Sequence, residues 1–287
     1  MPPTAHDRRR RRRPPRDELR DAPGAGASVS VVVPVRDDAA LLRRCLAALA
    51  RQTVAPHEVI VVDNGSTDAS AEVARAFGAR VVAEPHVGIP AAAATGCDHA
   101  TGEVIARLDA DCVAPPDWIA RIGRRFAVDP GLTGLTGPAR FVDGPRALRL
   151  PLAALYVGAY RAVMVPTLGH TPLFGSNFAV RRSAWEAVSR DVHRFDDLMH
   201  DDMDLSMHLG AVHLDARRRF RFDRRLRMGM AMRAITGGGG GLRIRRGVHS
   251  VVAHWPEELP WKRWRRRLSA AVSESRDNGG RRRGGHG

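Results

Sequence analysis

The sequence predicts an α/β fold, a mostly parallel sheet with helices on both faces. Short apolar runs rich in Val and Ile recur along the first 108 residues, and segments of helical spacing alternate with them. Carboxylates gather where those runs end. Hydrophobic residues make up 44% of the 287 positions, core enough for one large domain or one domain with additions.

The elements follow in order. Residues 29–33 are β-branched and read as a buried strand. Residues 39–51 carry Leu41, Leu42, Cys45, Leu46 and Leu49 at helical spacing. Residues 59–62 form the second strand, and 69–77 a helix for which Ser66, Thr67 and Asp68 offer capping oxygens. Residues 81–83 are the third strand, 90–100 an alanine-rich helix, 104–108 the fourth strand and 116–126 a further helix. The second half is less regular. Residues 174–180 read as a loop entering a strand, 183–188 as a helix, and 201–209 as a helix with Asp201, Asp202 and Asp204 in its first turn. The glycine run 237–241 reads as a mobile loop or linker. Residues 150–168 form the longest apolar stretch. Pro151, Arg161 and Pro166 make it a poor membrane span, so a core helix is expected, with an interfacial segment as the alternative.

The formal net charge is +15, and Lys262 is the only lysine. That usage, with abundant alanine, is expected of a GC-rich bacterial genome. The arginines fall in blocks at 8–13, 217–227, 243–246, 262–267 and 281–283. Such blocks are solvated tails, contacts to an anionic membrane surface, or contacts to nucleic acid, in falling order of expectation. Cys45, Cys97 and Cys112 have no metal or redox spacing and read as buried reduced thiols of a cytoplasmic protein. The arginine-rich start lacks the apolar segment of a signal peptide.

In such sheets ligands bind beyond the carboxyl ends of the strands. Pro34, Arg36, Asp37 and Asp38 follow the first strand, Asp63 the second, and Asp109 and Asp111 the fourth. Paired carboxylates are hard oxygen ligands suited to Mg²⁺ or Mn²⁺, and Mg²⁺ fills its remaining positions with water and substrate phosphates.

The segments Val31-Val32-Val33-Pro34-Val35-Arg36-Asp37-Asp38, Val61-Val62-Asp63-Asn64-Gly65-Ser66-Thr67-Asp68 and Leu108-Asp109-Ala110-Asp111 occur in that order. Together they resemble the family 2 glycosyltransferases. Gly102-Glu103-Val104-Ile105 and Gly175-Ser176-Asn177-Phe178-Ala179-Val180 extend the resemblance, which covers residues 28–210. It implies a Rossmann-like GT-A fold. It also implies a nucleotide-sugar-binding half at 28–130 and an acceptor-binding and catalytic-base half at 131–268; composition predicts disordered basic tails at 1–27 and 269–287. The donor would be a nucleoside diphosphate sugar. Pro34, Arg36 and Asp38 would line the nucleotide pocket, and Asp63 would accept hydrogen bonds from the base. Asp109 would meet the ribose or the metal through water, and Asp111 would bind the divalent cation directly.

The resemblance also supplies a base. In His200-Asp201-Asp202-Met203-Asp204-Leu205-Ser206, Asp202 aligns with the family's general base and Asp201 with its acidic neighbour. Adjacent carboxylates resist joint ionisation, which raises one pKa toward a useful value. One base and no nucleophilic carboxylate implies an inverting, one-step transfer.

The chain also departs from the family pattern. Arg36-Asp37-Asp38 replaces Tyr-Asn-Glu, and Ala92-Ala93-Ala94 replaces Ala-Arg-Asn, so an arginine expected on phosphate is missing; one from 243–246 is a candidate replacement. The Q-x-x-R-W motif of processive members is incomplete, with Pro260 in place of Gln before Arg263-Trp264, which implies a non-processive enzyme. Trp255, Trp261 and Trp264 suit sugar stacking, a membrane interface or packing. His249 and His254 are further candidates for the metal shell. The acceptor, a hydroxyl or a lipid phosphate, is not readable. The rival readings are a sugar nucleotidyltransferase, which would need a Gly-rich activating loop absent after Val33, an inactive nucleotide-sugar binder, and a basic nucleic-acid-binding protein.

Overall fold

The computed structural model describes residues 26–212, 219–237, 240–266 and 268–269. Along the chain run β1 (Val29–Val35), α1 (Ala39–Leu49), β2 (Glu58–Asp63), α2 (Ser70–Ala76), β3 (Arg80–Ala83), α3 (Ile89–Asp98), β4 (Val104–Arg107) and α4 (Trp118–Val128). The second half adds β5 (Leu132–Thr136), β6 (Ala139–Phe141), α5 (Arg149–Leu168), β7 (Phe178–Arg181), α6 (Arg182–Glu186) and α7 (Asp201–Val212). It closes with β8 (Arg219–Phe222), β9 (Met228–Met230), α8 (Arg233–Thr236), α9 (Gly240–Val252) and a helical stretch at 260–266.

Seven strands form one sheet in the order β3-β2-β1-β4-β7-β5-β8. The pairs β3–β2, β2–β1, β1–β4 and β5–β8 are parallel; β7 is antiparallel to both its neighbours. β6 and β9 make a separate parallel pair. The chain builds outward from β1 through β2 to β3, then returns to place β4 on β1's other side. The carboxyl ends of β1 and β4 therefore flank a topological switch point, where α/β sheets open a crevice.

Both sheet faces are covered, and each has its own apolar cluster. Val31, Val33, Leu42, Leu46, Trp118, Ile122 and Phe126 belong to one; Val32, Ile60, Val62, Ile105, Phe178 and Trp185 to the other. Alternate residues of β1 thus point to opposite layers. α3 is alanine-rich because it lies tight on the sheet. A Cβ on Gly96 would sit 2.3 Å from Val32 Cγ1 and 2.9 Å from Val62 Cγ2.

Several sequence expectations change here. Asp68 does not cap only its own helix: Oδ1 accepts from Ser70 N–H at 2.9 Å, and Oδ2 accepts from Ala39 N–H, the first of α1, at 2.9 Å. One carboxylate thus satisfies orphan donors at two helix starts. The stretch 150–168 is one continuous helix, α5, not a core helix. Only Ala153, Val157, Met164 and Leu168 are buried, all on one face, while Leu155 is 68% and Val163 65% exposed. Pro151 lies in the first turn, where an N–H has no intrahelical partner, and the helix runs on through Pro166 in its last turn at the loss of one backbone hydrogen bond. By length and composition α5 is apolar enough to cross a membrane. Of the glycine run, Gly240 and Gly241 open α9 instead of forming a linker, and 238–239 lie outside the described residues. The basic tails expected at 1–27 and 269–287 lie outside them too, apart from 26, 27 and 269, as do Arg217, Arg218 and Arg267.

Candidate functional site

A cavity of about 520 Å³ opens at the switch point, a size suited to a small organic ligand. Pro34, Arg36 and Asp38 line it from the end of β1, Asp109 and Asp111 from the end of β4, and Asp201 and Asp202 from the start of α7. Nearly every site residue expected from the sequence is therefore brought together. Asp63 is the exception. Its Oδ1 accepts from Ser66 N–H at 3.0 Å in a tight turn, and its neighbour Asn64 lines the wall instead. Asn64 also fastens the approach to α3, donating to Glu84 O (3.0 Å) and His86 O (2.7 Å) and accepting from Gly88 N–H (2.8 Å).

The loop before β7 sets the carboxylates through consecutive residues. Gly175 N–H donates to Asp202 Oδ2 at 2.7 Å, and Ser176 Oγ donates to Asp109 Oδ2 at 2.5 Å. Asn177, fully buried, accepts from Trp118 Nε1 at 3.0 Å and donates to Leu226 O at 2.6 Å, which anchors the loop to α4 and to the approach to β9. A Cβ on Gly175 would lie 2.4 Å from an Arg107 nitrogen and 3.2 Å from Asp202 Oδ2, so any larger residue there would displace the Arg107 guanidinium.

Two arginines organise the charge. Arg107, the last residue of β4, is buried between Asp109 Oδ1 (3.0 Å) and Asp201 Oδ2 (3.4 Å). Its own Nε is buried without a partner among the described residues, a donor held in reserve at the cavity wall. Arg233, the first residue of α8, bridges Asp111 Oδ2 (2.7 Å) and Asp38 (3.0 and 2.5 Å). The sequence flagged neither individually. Arg107 closes an otherwise apolar strand, which was a usable signal; Arg233 follows an irregular stretch and carried none. Arg243 lines the cavity, as a replacement phosphate arginine should; Arg245 and Arg246 do not.

Burial pushes the Asp201 carboxyl up to about 6; the charges of Asp202 and Asp109 add to this, and Arg107 opposes it. Asp111 is raised as well, by burial first and then by Asp109, with Arg233 opposing. Asp38 and Asp111 thus share the Arg233 guanidinium, while Asp109 faces Arg107. Ligand oxygens of Asp109 and Asp111 lie within 4.8 Å of each other. Cys112 Sγ lies beside them, but burial raises its thiol and keeps it protonated, so the carboxylate oxygens are the donors, and these fit a hard divalent cation. The histidines considered for that shell lie elsewhere: His249 Nε2 meets Asp196 Oδ2 at 2.6 Å, and His254 Nε2 meets Asp204 Oδ1 at 3.2 Å. Arg263 and Trp264 stay out of the cavity. Arg263 is fully buried and donates to Leu168 O at 3.0 Å, and Trp264 Nε1 donates to Pro166 O at 2.8 Å, so both brace the end of α5.

The family model described as glycosyl transferase family 2 matches residues 30–188, more than half of the chain. The chain belongs to glycosyl transferase family 2. Glycosyltransferase AglE of Haloferax volcanii is 37% identical over 101 residues, covering 32% of this chain and 33% of that protein. Putative glycosyltransferase EpsH of Bacillus subtilis is 29% identical over 167 residues, 56% of this chain and 48% of that one. The chain therefore spans a third to a half of the length of these relatives. Among solved structures, mannosyltransferase PcManGT from Pyrobaculum calidifontis, in complex with GDP-Man and Mn²⁺, superposes with a TM-score of 0.56 at 24% identity. That match covers 78% of this chain and 62% of that one, and it establishes the GT-A fold for this family 2 member.

Proposed function

We propose that this family 2 glycosyltransferase moves one sugar from a nucleoside diphosphate donor to an acceptor hydroxyl or lipid phosphate with inversion. The convergence of the β1 and β4 strand-end carboxylates with the Asp201–Asp202 pair in one cavity carries this reading. Pro34, Arg36 and Asn64 are assigned to the base and nucleoside, with Asp63 holding the turn that carries Asn64, and Asp109 to the ribose side. Asp111, with Asp109 and Asp38, would hold Mg²⁺ or Mn²⁺, which supplies Lewis-acid stabilisation of the departing diphosphate. The acceptor oxygen attacks the anomeric carbon as the bond from that carbon to the diphosphate oxygen breaks. Asp202 takes the acceptor proton, and Asp201 sets the local charge. Gly175 N–H and Met203 N–H (2.9 Å) fix the Asp202 carboxylate, so it meets the acceptor in one orientation. Arg107 and Arg243, and Arg233 once released from Asp111, balance charge on the diphosphate.

The test is a thermal-shift panel of UDP, GDP, CDP and dTDP sugars with and without Mn²⁺, followed by transfer and donor-hydrolysis assays. Asp202→Asn should keep the ligand-induced shift and lose transfer. Normal turnover in that variant would remove the base assignment, and a wild-type chain that binds donor yet never cleaves it would establish the inactive-binder alternative.

Peripheral membrane contact belongs to the same proposal. The outward apolar residues Leu155 and Val163 of α5, with exposed Trp261, support it beside the arginine blocks. Co-sedimentation with anionic but not neutral vesicles is the expected outcome; equal recovery with both, or retention by nucleic acid alone, refutes it.

A further inference from the structure

On the face of α7 away from the donor cavity, Asp204 is buried beneath three histidines. Its Oδ1 lies 2.7 Å from His193 Nδ1, 3.3 Å from His208 Nε2 and 3.2 Å from His254 Nε2. The imidazole nitrogens also face one another, His208 to His193 at 3.5 Å and His208 to His254 at 3.4 Å. All four atoms lie within 4.8 Å of one another.

Three imidazole nitrogens converge on this one carboxylate oxygen. His254 Nδ1 lies 2.7 Å from Ser250 O. A carbonyl only accepts, so Nδ1 carries the proton, and Nε2 of the neutral ring turns a bare lone pair toward the Asp204 carboxylate and His208. A cation at the centre takes that lone pair and the carboxylate oxygen together. The supporting contacts are those of a metal ligand set. His254 donates its outer N–H to a backbone carbonyl, and Asp204 Oδ2 accepts from His193 N–H at 2.8 Å, leaving Oδ1 free for the centre. Ligand atoms about 2.0–2.1 Å from a tetrahedral Zn²⁺ lie about 3.3 Å apart, close to most separations seen here.

We propose that His193, Asp204, His208 and His254 form a structural binding site for a tetrahedral first-row transition metal ion, Zn²⁺ foremost, separate from the donor-side carboxylates. Nitrogen-rich borderline ligands select Zn²⁺ over the hard Mg²⁺ suited to Asp109 and Asp111. The ligands come from the loop after α6, from α7, and from the turn after α9. The ion therefore ties three segments together two residues from Asp202, and fixes the helix that presents the base. His193, partly exposed on a surface groove, gives the ion a route in.

The test uses the full chain stripped with chelator and reloaded with Zn²⁺ or Co²⁺. Expected are one tightly held equivalent of Zn²⁺ by mass spectrometry and the intense visible absorption of tetrahedral Co²⁺. Both should persist in Asp111→Asn and weaken at least roughly tenfold in His208→Gln and His254→Gln. No uptake above those variants, or a Co²⁺ spectrum lost with Asp111→Asn, overturns the proposal. Should the histidine variants fail to fold, diethylpyrocarbonate labelling of the wild-type chain decides. Zn²⁺ should protect His193 and His208 but not His57; equal labelling with and without Zn²⁺ refutes the site. None of these readouts depends on transfer activity, so failure here leaves the proposed reaction untouched, and the converse holds.

Discussion

Asp201 makes the fold itself pH-sensitive. Burial against Asp202 and Asp109 raises its carboxyl from 3.8 to about 6. A raised carboxyl pKa means the folded chain holds the proton more tightly than the unfolded one. Its contribution to stability is complete below about pH 4 and is lost as pH climbs to about 6. At about 1.4 kcal/mol per pH unit, the loss amounts to about 3 kcal/mol as an upper bound. The perturbation is Asp201→Asn, which cannot ionise. Urea unfolding of wild type and variant, run at intervals between about pH 4 and about pH 7, isolates residue 201 in the stability difference between the two chains. That difference should swing in favour of the variant as pH rises and flatten above about pH 6. Loss of the Arg107 contact, 3.4 Å in the wild type, offsets part of the gain at the upper end. A difference that stays flat, or that favours the wild type increasingly with pH, would show that Asp201 is not held as an uncomfortable charge.

Three further outcomes follow from the same geometry. Arg107→Met strands Asp201, and leaves the half-buried Asp109 to solvent screening, so it should cost about 1–3 kcal/mol in urea unfolding; an unchanged urea midpoint would mean the guanidinium is not their main counter-charge. Arg233→Gln removes the bridge between Asp38 and Asp111, so Mn²⁺ affinity without nucleotide, read by calorimetry, should rise several-fold; unchanged affinity would place the cation elsewhere. Gly96→Ala drives a methyl against Val32 and Val62 and should cost about 1–3 kcal/mol with the donor pocket intact; an unchanged urea midpoint would show that α3 can shift off the sheet.

The first half was readable because local pattern and tertiary role coincide there. A parallel strand buried on both faces must be a run of Val and Ile, and the chain must turn at its end, so residues 29–33, 59–62 and 104–108 announced both the sheet and the edge that carries Asp38, Asp109 and Asp111. The Asp201–Asp202 pair was visible as well, because an acidic helix start is a local signal. The sequence could not show which face of α5 meets the protein, because its composition is apolar all round and only packing chooses four positions to bury. Nor could it separate Asp63 from Asn64, since one hydrogen bond to Ser66 N–H turns the carboxylate out of the wall. Arg233 reaching Asp38 and Asp111, and the histidines gathering on Asp204, are contacts between segments far apart in the chain. Spacing along one strand or helix reports only its own period. What stands opposite a carboxylate is decided by which distant segment folds over it.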